Sequence, residues 1–323
     1  MKAIVCHSYG SPSLLKMEDL PLPTPTGKQV LVKVYATAVN DYDWSMVRGK
    51  PALLKLMFGL RKPKNPVPGM EAAGVVEAVG PEVTRFEVGD AVYGDTSDHG
   101  FGTFAEYLCI HEDAMRPKPD AISFAEAAAT PHASLLAYQG LIRLGGLKEG
   151  DQVLINGAGG GAGTFAYQLT KPYGCDVTGV DAGPKLDRLK ELGFDRVIDY
   201  RKVDFTRTIH TYDLIFDCKT NRWPLAYLRA LKPGGTYVTV GGQLGKLLTL
   251  VLFGQILKLF SRKRLKLLGL KPNQDLDVIS DLYRKGNLKA HIDGPYPFEE
   301  TPRMIQRYGD GEHFGKIVLS LDT

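Results

Sequence analysis

Hydrophobic and polar residues alternate with a short period in the first third of the chain. Short β-branched or aromatic runs, separated by glycine, proline and aspartate, predict strands at residues 28–40 (KQVLVKVYATAVN), 72–80 (AAGVVEAVG), 90–95 (DAVYGD) and 103–110 (TFAEYLCI). Residues 287–322 return to β and turn character. Both ends of the chain are therefore expected to contribute to one β-rich domain.

The middle of the chain has a different pattern, which begins near Ser123. Residues 123–145 have helical spacing, and Ser123 with Glu126 fits a capping box at their start. Apolar strand runs then alternate with amphipathic helix runs, with strands at 151–157, 176–181, 196–200, 212–218 and 236–242 and helices at 163–174, 184–193 and 223–235. This alternation predicts a parallel sheet with helices on both faces.

One apolar segment, from Leu244 to Leu270, ends in a basic cluster at residues 262–266. Its longest uncharged stretch, Leu247 to Leu257, is well short of the ~20 residues that a membrane-spanning helix requires. Two structures fit the pattern. One is an interfacial membrane anchor, and the other is a helix packed on the sheet and followed by a basic edge strand. The second is favoured.

Composition narrows the class of protein. A length of 323 residues favours two domains, and 44% hydrophobic with 24% charged residues is typical of a soluble globular protein. A net charge of +4 gives no argument for nucleic-acid binding, and no nucleic-acid-reading motif is present. The first ten residues, MKAIVCHSYG, contain no signal peptide or amphipathic leader, and the four cysteines have no paired spacing. We expect a reduced, cytoplasmic protein.

Residues 153–163, VLINGAGGGAG, place five glycines in a short run after an apolar strand. Such a run is either a flexible loop or a backbone that must approach a phosphate. The spaced positions are Gly157, Gly160 and Gly163, while Gly159, Gly161 and Ala162 lie between them. Because the run follows a predicted strand and opens a predicted helix, it indicates the phosphate-binding turn of a dinucleotide fold.

Asp181 ends the next predicted strand, about 20 positions beyond the glycines. An acidic residue there can accept hydrogen bonds from a ribose diol and would repel a 2′-phosphate. The alternative role is a helix cap. Lys185 could offset the repulsion, so the sequence leaves the choice between NADH and NADPH open.

Several stretches in this order resemble the medium-chain dehydrogenase/reductase superfamily, in its zinc-free, quinone-oxidoreductase-like branch. They are VNDYDW (39–44), PVPGMEAAGVVEAVGPEVTRFEVGDAVYG (66–94), GTFAEY (102–107), AEAAATPHASLLAYQGL (125–141), residues 153–174, LKPGGTYVTVGG (231–242), and the tail at 286–300 and 315–319. The resemblance covers essentially the whole chain.

The resemblance implies an α/β chain of two domains and hydride transfer from NAD(P)H. A discontinuous GroES-like, β-rich substrate domain would begin with residues 1–122. A Rossmann domain with a doubly wound parallel sheet would follow at 123–270, and 271–323 would hold its last helix and the return to the first domain. A homodimer would form through an edge strand at Lys263 to Leu270.

Zinc-dependent relatives carry a Cys where this chain has Asn40, and a Gly-His-Glu triplet where it has Gly69-Met70-Glu71. Asn and Met are not expected ligands of catalytic zinc, so no zinc is expected. Without a metal, hydrogen-bond donors must polarise the carbonyl. The resemblance makes Asn40 a candidate donor, with Tyr42 and Ser45 nearby in sequence.

His132 stands where the third zinc ligand of those relatives would be, four residues before Leu136. It is either a proton donor after hydride transfer or a histidine satisfied by packing. By the same resemblance, Tyr200 flanks the adenosine end of the cofactor, and Gly241 and Gly242 lie near the nicotinamide ribose.

The Ser/Thr-Arg pair with which relatives bind NADPH is replaced by Gly183 and Pro184. Lys185 and Arg201 are the nearby cations that could take over that role. The residues therefore favour NADH and the branch favours NADPH.

The main hypothesis is a zinc-independent oxidoreductase that reduces a quinone or an activated α,β-unsaturated carbonyl, a small-molecule substrate, by direct hydride transfer. The alternative is a catalytically weak cofactor-binding protein that acts at a membrane surface or binds a partner through the segment Leu244 to Leu270.

Overall fold

The computed structural model describes residues 1–242 and 244–321. It divides into two compact units. The first unit comprises Met1–His132 together with the chain from Pro272 onward, and the second comprises Ala133–Lys271. The second unit is thus inserted into the sequence of the first.

The first unit is built mainly of strands. They are β1 (Lys2–Val5), β2 (Lys16–Asp19), β3 (Gln29–Ala38), β4 (Glu71–Val79), β5 (Ala91–Asp95), β6 (Tyr107–His111), β7 (Arg116–Pro117), β14 (Ile292–Pro297) and β15 (Lys316–Ser320). Its helices are α1 (Asp41–Arg48), α2 (Lys55–Phe58), α3 (Phe124–Ala128), α9 (Leu276–Arg284) and α10 (Thr301–Gly309).

These strands form one large mixed sheet and a small antiparallel pair. The large sheet has the order β14-β15-β3-β4-β5-β7, with β6 also paired to β3, and β1 pairs with β2. Every second residue of β3, from Val30 to Val34, points into an apolar core that Phe86 and Leu108 help to fill. The period-two pattern of the sequence places these three valines on the same face of the strand.

The second unit alternates strands and helices. Its strands are β8 (Gln152–Asn156), β9 (Asp176–Asp181), β10 (Arg196–Asp199), β11 (Tyr212–Asp217), β12 (Leu231–Thr239) and β13 (Arg264–Leu267). Its helices are α5 (Gly161–Thr170), α6 (Leu186–Leu192), α7 (Pro224–Ala230) and α8 (Leu244–Phe260), while α4 (Pro131–Tyr138) spans the division between the units and continues as a π-helix, Gln139–Gly145.

All pairings in this sheet are parallel, in the order β10-β9-β8-β11-β12-β13. The strand order reverses direction between β8 and β11. In open parallel sheets, ligands bind at the carboxyl ends of the strands next to such a reversal. The predicted fold class, with a GroES-like β-rich domain and a Rossmann sheet, is confirmed.

The two compact units differ from the predicted domain boundaries at residues 123–132 and 272–284. Both stretches lie with the first unit. The contacts explain the difference. Phe124 stacks on Tyr35 with ring centroids 4.7 Å apart, and Tyr93 on β5 hydrogen-bonds Ser280 on α9 at 2.7 Å.

Several elements were predicted incorrectly in detail. The helix expected at 223–235 ends at Ala230, because Pro233 cannot continue a helix and Leu231 already pairs with Tyr212 as the start of β12. Helix α1 lies in a region expected to be strands and turns, and α10 lies in the tail that the sequence assigned to β and turns. The capping box of Ser123 and Glu126 is confirmed, since Glu126 N–H donates to the Ser123 hydroxyl at 3.2 Å.

The apolar segment forms α8 and then the edge strand β13, so the favoured structure is confirmed. Within α8, the side chains of residues 244, 253 and 255–260 lie outside the described part of the chain. Leu250 of α8 is buried in the core of the second unit, whereas Leu252 is 69% exposed. Within residues 1–242 and 244–321, no helix combines the length and apolarity needed to cross a membrane.

Candidate active site

The glycine run closes tightly between β8 and α5. Gly157 has a φ of +85°, a left-handed conformation that favours glycine, and α5 begins at Gly161. A Cβ on Gly163 would lie 2.3 Å from the Gly157 carbonyl oxygen and 2.6 Å from Ala158 Cα. The first turn of α5 is therefore held against the loop, and only a residue without a side chain fits there.

This loop fits a dinucleotide pyrophosphate. Gly160, Gly161 and Ala162 are partly exposed, whereas Gly157 and Gly163 are buried. The first N–H groups of α5 are thus accessible from solvent, and their partial positive charge favours an anion. Two of the three spaced glycines that the sequence analysis identified, Gly157 and Gly163, make the close contact between the loop and α5. We call residues 157–163 the cradle.

Asp181 lies at the carboxyl end of β9 and is 7% exposed. Its Oδ2 accepts a hydrogen bond from Gly159 N–H at 2.8 Å, and its Oδ1 accepts one from Ala182 N–H at 2.8 Å. Lys185 Nζ lies 3.6 Å from Oδ1. Because a carboxylate has about four acceptor sites, Asp181 can hold the loop and still accept from a ribose hydroxyl.

The other predicted cofactor residues lie near this strand end or after β12. Tyr200 N–H donates to the Asp181 carbonyl at 3.2 Å, and the Arg201 guanidinium lies over the Tyr200 ring. Gly242 has a φ of +133°, and a Cβ there would lie 2.4 Å from the Lys219 carbonyl oxygen. The Gly241 carbonyl accepts hydrogen bonds from the hydroxyls of Thr220 and Thr239.

In the first unit, Asn40 lies immediately before α1 and is 2% exposed. Its Nδ2 donates to Glu71 Oε2 at 2.7 Å and to the Ala38 carbonyl at 3.3 Å. Its Oδ1 accepts from Lys316 Nζ, which also lies 2.5 Å from Glu71 Oε2. Both amide hydrogens of Asn40 are therefore engaged within the protein, which leaves none for a substrate carbonyl.

Two of the three zinc-ligand positions of zinc-dependent relatives, those of Asn40 and Met70, carry donors that do not suit that metal. Asn40 offers an amide, Met70 offers a fully buried thioether, and the Lys316 ammonium lies against Asn40. A fixed positive charge beside the position repels a cation, and neither Asn nor Met is a ligand type expected for catalytic zinc. Among the described residues, no group of three or more His, Cys, Asp or Glu side chains could hold a metal ion.

His132 is 5% exposed and is held by acidic groups on three sides. Its Nδ1 lies 2.8 Å from Asp95 Oδ2, its Nε2 lies 3.7 Å from Asp41 Oδ1, and its backbone N–H donates to Glu71 Oε1 at 2.6 Å. Burial by itself would lower the pKa of His132, but the hydrogen bonds and charges of Asp41 and Asp95 outweigh it and raise the pKa to about 10. The imidazole is therefore a cation at neutral pH.

Tyr42 is the second predicted donor beside this histidine. Its ring meets His132 edge-on, with centroids 6.2 Å apart, and it also contacts the rings of Phe58 and Phe101. Burial, followed by the charges of Asp41, Asp95 and Asp98, raises the pKa of the Tyr42 hydroxyl. Ser45, one turn further along α1, is partly buried, and no recorded contact joins it to His132.

Sequence reasoning missed the groups that surround His132. Asp95 and Asp41 lie far from His132 along the chain, and no sequence motif links either of them to it. Asp43, which the sequence analysis also passed over, is fully buried and accepts from the backbone N–H groups of Asn40 and Gly69. Burial raises the pKa of Asp43 to about 7. The one available signal was the acidic pattern Asp41-Tyr-Asp43 directly before an amphipathic stretch.

Comparison with known proteins gives consistent matches over the whole chain. Residues 26–120 match the alcohol dehydrogenase GroES-like domain, and residues 192–319 match the zinc-binding dehydrogenase family. A 2-methylene-furan-3-one reductase from Solanum lycopersicum is 32% identical, over 99% of this chain and 79% of that protein.

Two further matches point the same way. The chloroplastic NADPH-dependent alkenal/one oxidoreductase of Arabidopsis thaliana is 30% identical, over 99% of this chain and 79% of that protein. The structure of the quinone oxidoreductase from Coxiella burnetii superposes with a TM-score of 0.85 at 28% identity, covering 100% of this chain and 99% of that one.

Proposed function

Since the chain belongs to the medium-chain dehydrogenase/reductase superfamily, in its quinone-oxidoreductase-like branch, we propose that it is an NAD(P)H-dependent oxidoreductase that reduces a quinone or an activated α,β-unsaturated carbonyl. The observation that carries this proposal is the cradle at Gly157–Gly163, which a Cβ would fill. The relatives named above act on acceptors of these two kinds.

The proposed reaction requires cofactor binding, which we assign to residues of the second unit, and proton transfer, which we assign to a residue of the first unit. The cradle and Asp181 would hold the pyrophosphate and the adenosine ribose of the cofactor, which supplies a hydride when bound. His132 holds a proton on Nε2, while Nδ1 donates to Asp95. The hydride leaves negative charge on the substrate oxygen, and a cationic imidazole both stabilises that charge and donates the proton that neutralises it.

This proposal needs no zinc. The donors at Asn40 and Met70 are unsuited to the metal, and Lys316 already supplies a positive charge beside them. Because Asn40 is committed to Glu71 and Lys316, we assign the donor role to His132, with the Tyr42 hydroxyl as a second donor.

The reaction is tested by rapid mixing of the purified protein with NADH or NADPH and a panel of acceptors. We expect at least one quinone or enone to accelerate cofactor oxidation, and simple alcohols with NAD⁺ to give no turnover. Chelator treatment should leave the rate unchanged. If no acceptor on either panel accelerates cofactor loss, the proposed function is wrong.

We infer a preference for NADH from the surroundings of Asp181. Lys185, a cation close enough to receive a 2′-phosphate, is already paired with Asp181, whose carboxylate would repel that phosphate. Gly183 and Pro184 offer no side-chain donor to replace it.

Asp181→Ser tests this preference. Removing the carboxylate should shift the ratio of NADPH to NADH affinity toward NADPH by about tenfold, or ~1.4 kcal/mol, because the repulsion disappears and Lys185 is released. Fluorescence titration with both cofactors measures the ratio. Asp187→Ser, at a side chain that is 87% exposed, is the matched control. An unchanged ratio in Asp181→Ser would remove the ribose role of this residue.

We also propose an assembly for the chain. Strand β13 lies at one edge of its sheet, where a second copy could extend the pairing, and we propose a homodimer on that basis. The expected cytoplasmic location stays a prediction, since the alkenal/one oxidoreductase above is chloroplastic. The relatives favour the oxidoreductase hypothesis over a catalytically weak membrane-surface or partner-binding module.

A further inference from the structure

His132 lies between two carboxylates that differ in their exposure to solvent. We propose that Asp95, His132 and Asp41 form a proton relay, in which Asp95 is a positioning residue that fixes the imidazole and Asp41 returns a proton from solution after each turnover. The inference rests on the proposed function, because it deepens the role given there to His132.

Asp95 is built to hold one orientation of the ring. It is fully buried at the end of β5, and its Oδ2 accepts from His132 Nδ1 at 2.8 Å while its Oδ1 accepts from Ser97 N–H at 2.9 Å. Asn273 fixes the backbone of Asp95 from both sides, since its Oδ1 accepts from Asp95 N–H at 2.9 Å and its Nδ2 donates to the Asp95 carbonyl at 2.7 Å. A carboxylate can only accept, so Nδ1 keeps its proton.

Nε2 is consequently the ring atom that gives and takes a proton. It points toward Asp41, the first residue of α1, whose side chain is 57% exposed. The distance of 3.7 Å from Nε2 to Asp41 Oδ1 exceeds a hydrogen bond, so the contact can be made and broken by a small movement. Asp41 is therefore exposed to solvent and also close to the buried ring. Asp95 and Glu71, by contrast, are fully buried.

The relay balances as follows. The bound cofactor would supply the hydride, whose electron pair forms a new C–H bond on the acceptor, while a π-electron pair of the acceptor moves onto its oxygen and makes it an oxyanion. The Nε2–H bond breaks and its proton forms the O–H bond, which leaves a neutral His132 with a proton on Nδ1. Asp41 takes a proton from an acid in solution, either hydronium or a buffer molecule, whose conjugate base stays in solution. It passes this proton to Nε2, which restores the cation and the starting state of both carboxylates.

The surroundings of His132 favour its protonated form. Burial opposes charge on the ring, but the hydrogen bonds and charges of Asp41 and Asp95 outweigh burial and raise the pKa of His132 to about 10. Other charged or titratable groups also face this cluster. Glu71 accepts from the His132 backbone, Lys316 pairs with Glu71, and Tyr42 packs on the ring. An ordinary imidazole would be mostly neutral at pH 8 and would hold no spare proton there.

The test uses the full-length protein and the variants Asp41→Asn and Asp95→Asn, with Asp120→Asn as the matched control. Asp120 is exposed and belongs to the same unit. Nitrogen NMR of the His132 ring, recorded without turnover, gives its titration midpoint. In Asp95→Asn that midpoint should fall by more than about two pH units, toward the ordinary ~6.5, and the alkaline limb of turnover should move with it.

Asp41→Asn should lower kcat by about tenfold or more, as expected for loss of a proton-transfer group, with KM within about twofold. A first turnover in rapid mixing should proceed at the wild-type rate, because the imidazole begins protonated. Added formate should restore much of the lost kcat by delivering protons in place of Asp41. A purely structural role would not give buffer rescue.

The outcomes separate the two proposals. If the wild type turns over but Asp41→Asn behaves as Asp120→Asn does, or loses activity without formate rescue, the relay is overturned and the proposed function stands. A His132 midpoint unchanged in Asp95→Asn overturns the positioning role. If the wild type oxidises no cofactor with any acceptor, the proposed function fails, and the NMR titration still decides whether Asp95 holds the ring protonated. Should Asp95→Asn fail to fold, the Asp41 variant decides alone.

Discussion

Replacing Gly163 by alanine is expected to weaken the binding of both NADH and NADPH by about tenfold to hundredfold, which corresponds to the ~1–3 kcal/mol typical of overpacking. The new Cβ would lie 2.3 Å from the Gly157 carbonyl oxygen and 2.6 Å from Ala158 Cα. These are backbone atoms, so no side chain can swing aside, and α5 must move away from the loop. The N–H groups at the start of α5 would then no longer converge on a phosphate.

Fluorescence titration with each cofactor measures this effect, and thermal unfolding reports whether the second unit remains folded. Gly269→Ala is the matched control, because a Cβ there meets nothing within 4 Å. Wild-type affinity for both cofactors in Gly163→Ala would contradict the assignment of residues 157–163 as the pyrophosphate cradle.

Replacing His132 by glutamine is expected to lower kcat by about a hundredfold or more, in the range lost with a general acid, while cofactor affinity stays within about twofold. Glutamine can still donate an amide hydrogen to Asp95, but it carries no proton that can be transferred. His132→Ala should lose the same activity and unfold more easily, because it removes the positive charge that pairs with the buried Asp95 carboxylate. Steady-state kinetics and thermal unfolding of the pair separate the two effects.

The pH dependence gives a second measure of the same residue. Activity that requires the protonated ring should be constant through neutral pH and fall as pH rises through about 10. A raised pKa also stabilises the fold. That contribution is complete below the ordinary value of ~6.5 and is lost as pH rises through the folded value. His132→Gln should lack this dependence, and a wild-type alkaline limb in the variant would exclude His132 as the donor.

Local patterns predicted the nucleotide-binding unit well. The order of strand, glycine run and helix lies within one short stretch, and β9 occupies the residues that its apolar run predicted. Asp181 could also be placed correctly, because the last residue of a parallel strand lies at the carboxyl edge of the sheet.

The group of residues around His132 could not be predicted from local sequence patterns. His132 and Asp95 are 37 residues apart and belong to a helix and a strand that only the tertiary fold brings together. Asn40 was expected to face the substrate, whereas its amide is fully engaged with Glu71, Ala38 and Lys316. Lys316 lies on the last strand of the chain, so its presence beside Asn40 depends on a pairing between the two ends of the sequence.

That pairing also fixes the order in which the protein can be completed during synthesis. Strand β15 supplies the antiparallel neighbour of β3 and the parallel neighbour of β14. A ribosome therefore releases the entire inserted unit, Ala133–Lys271, before the first unit has its last strands. Domains generally fold as units while the chain is still growing. The first unit, whose synthesis begins before that of the second, is therefore expected to finish folding after it.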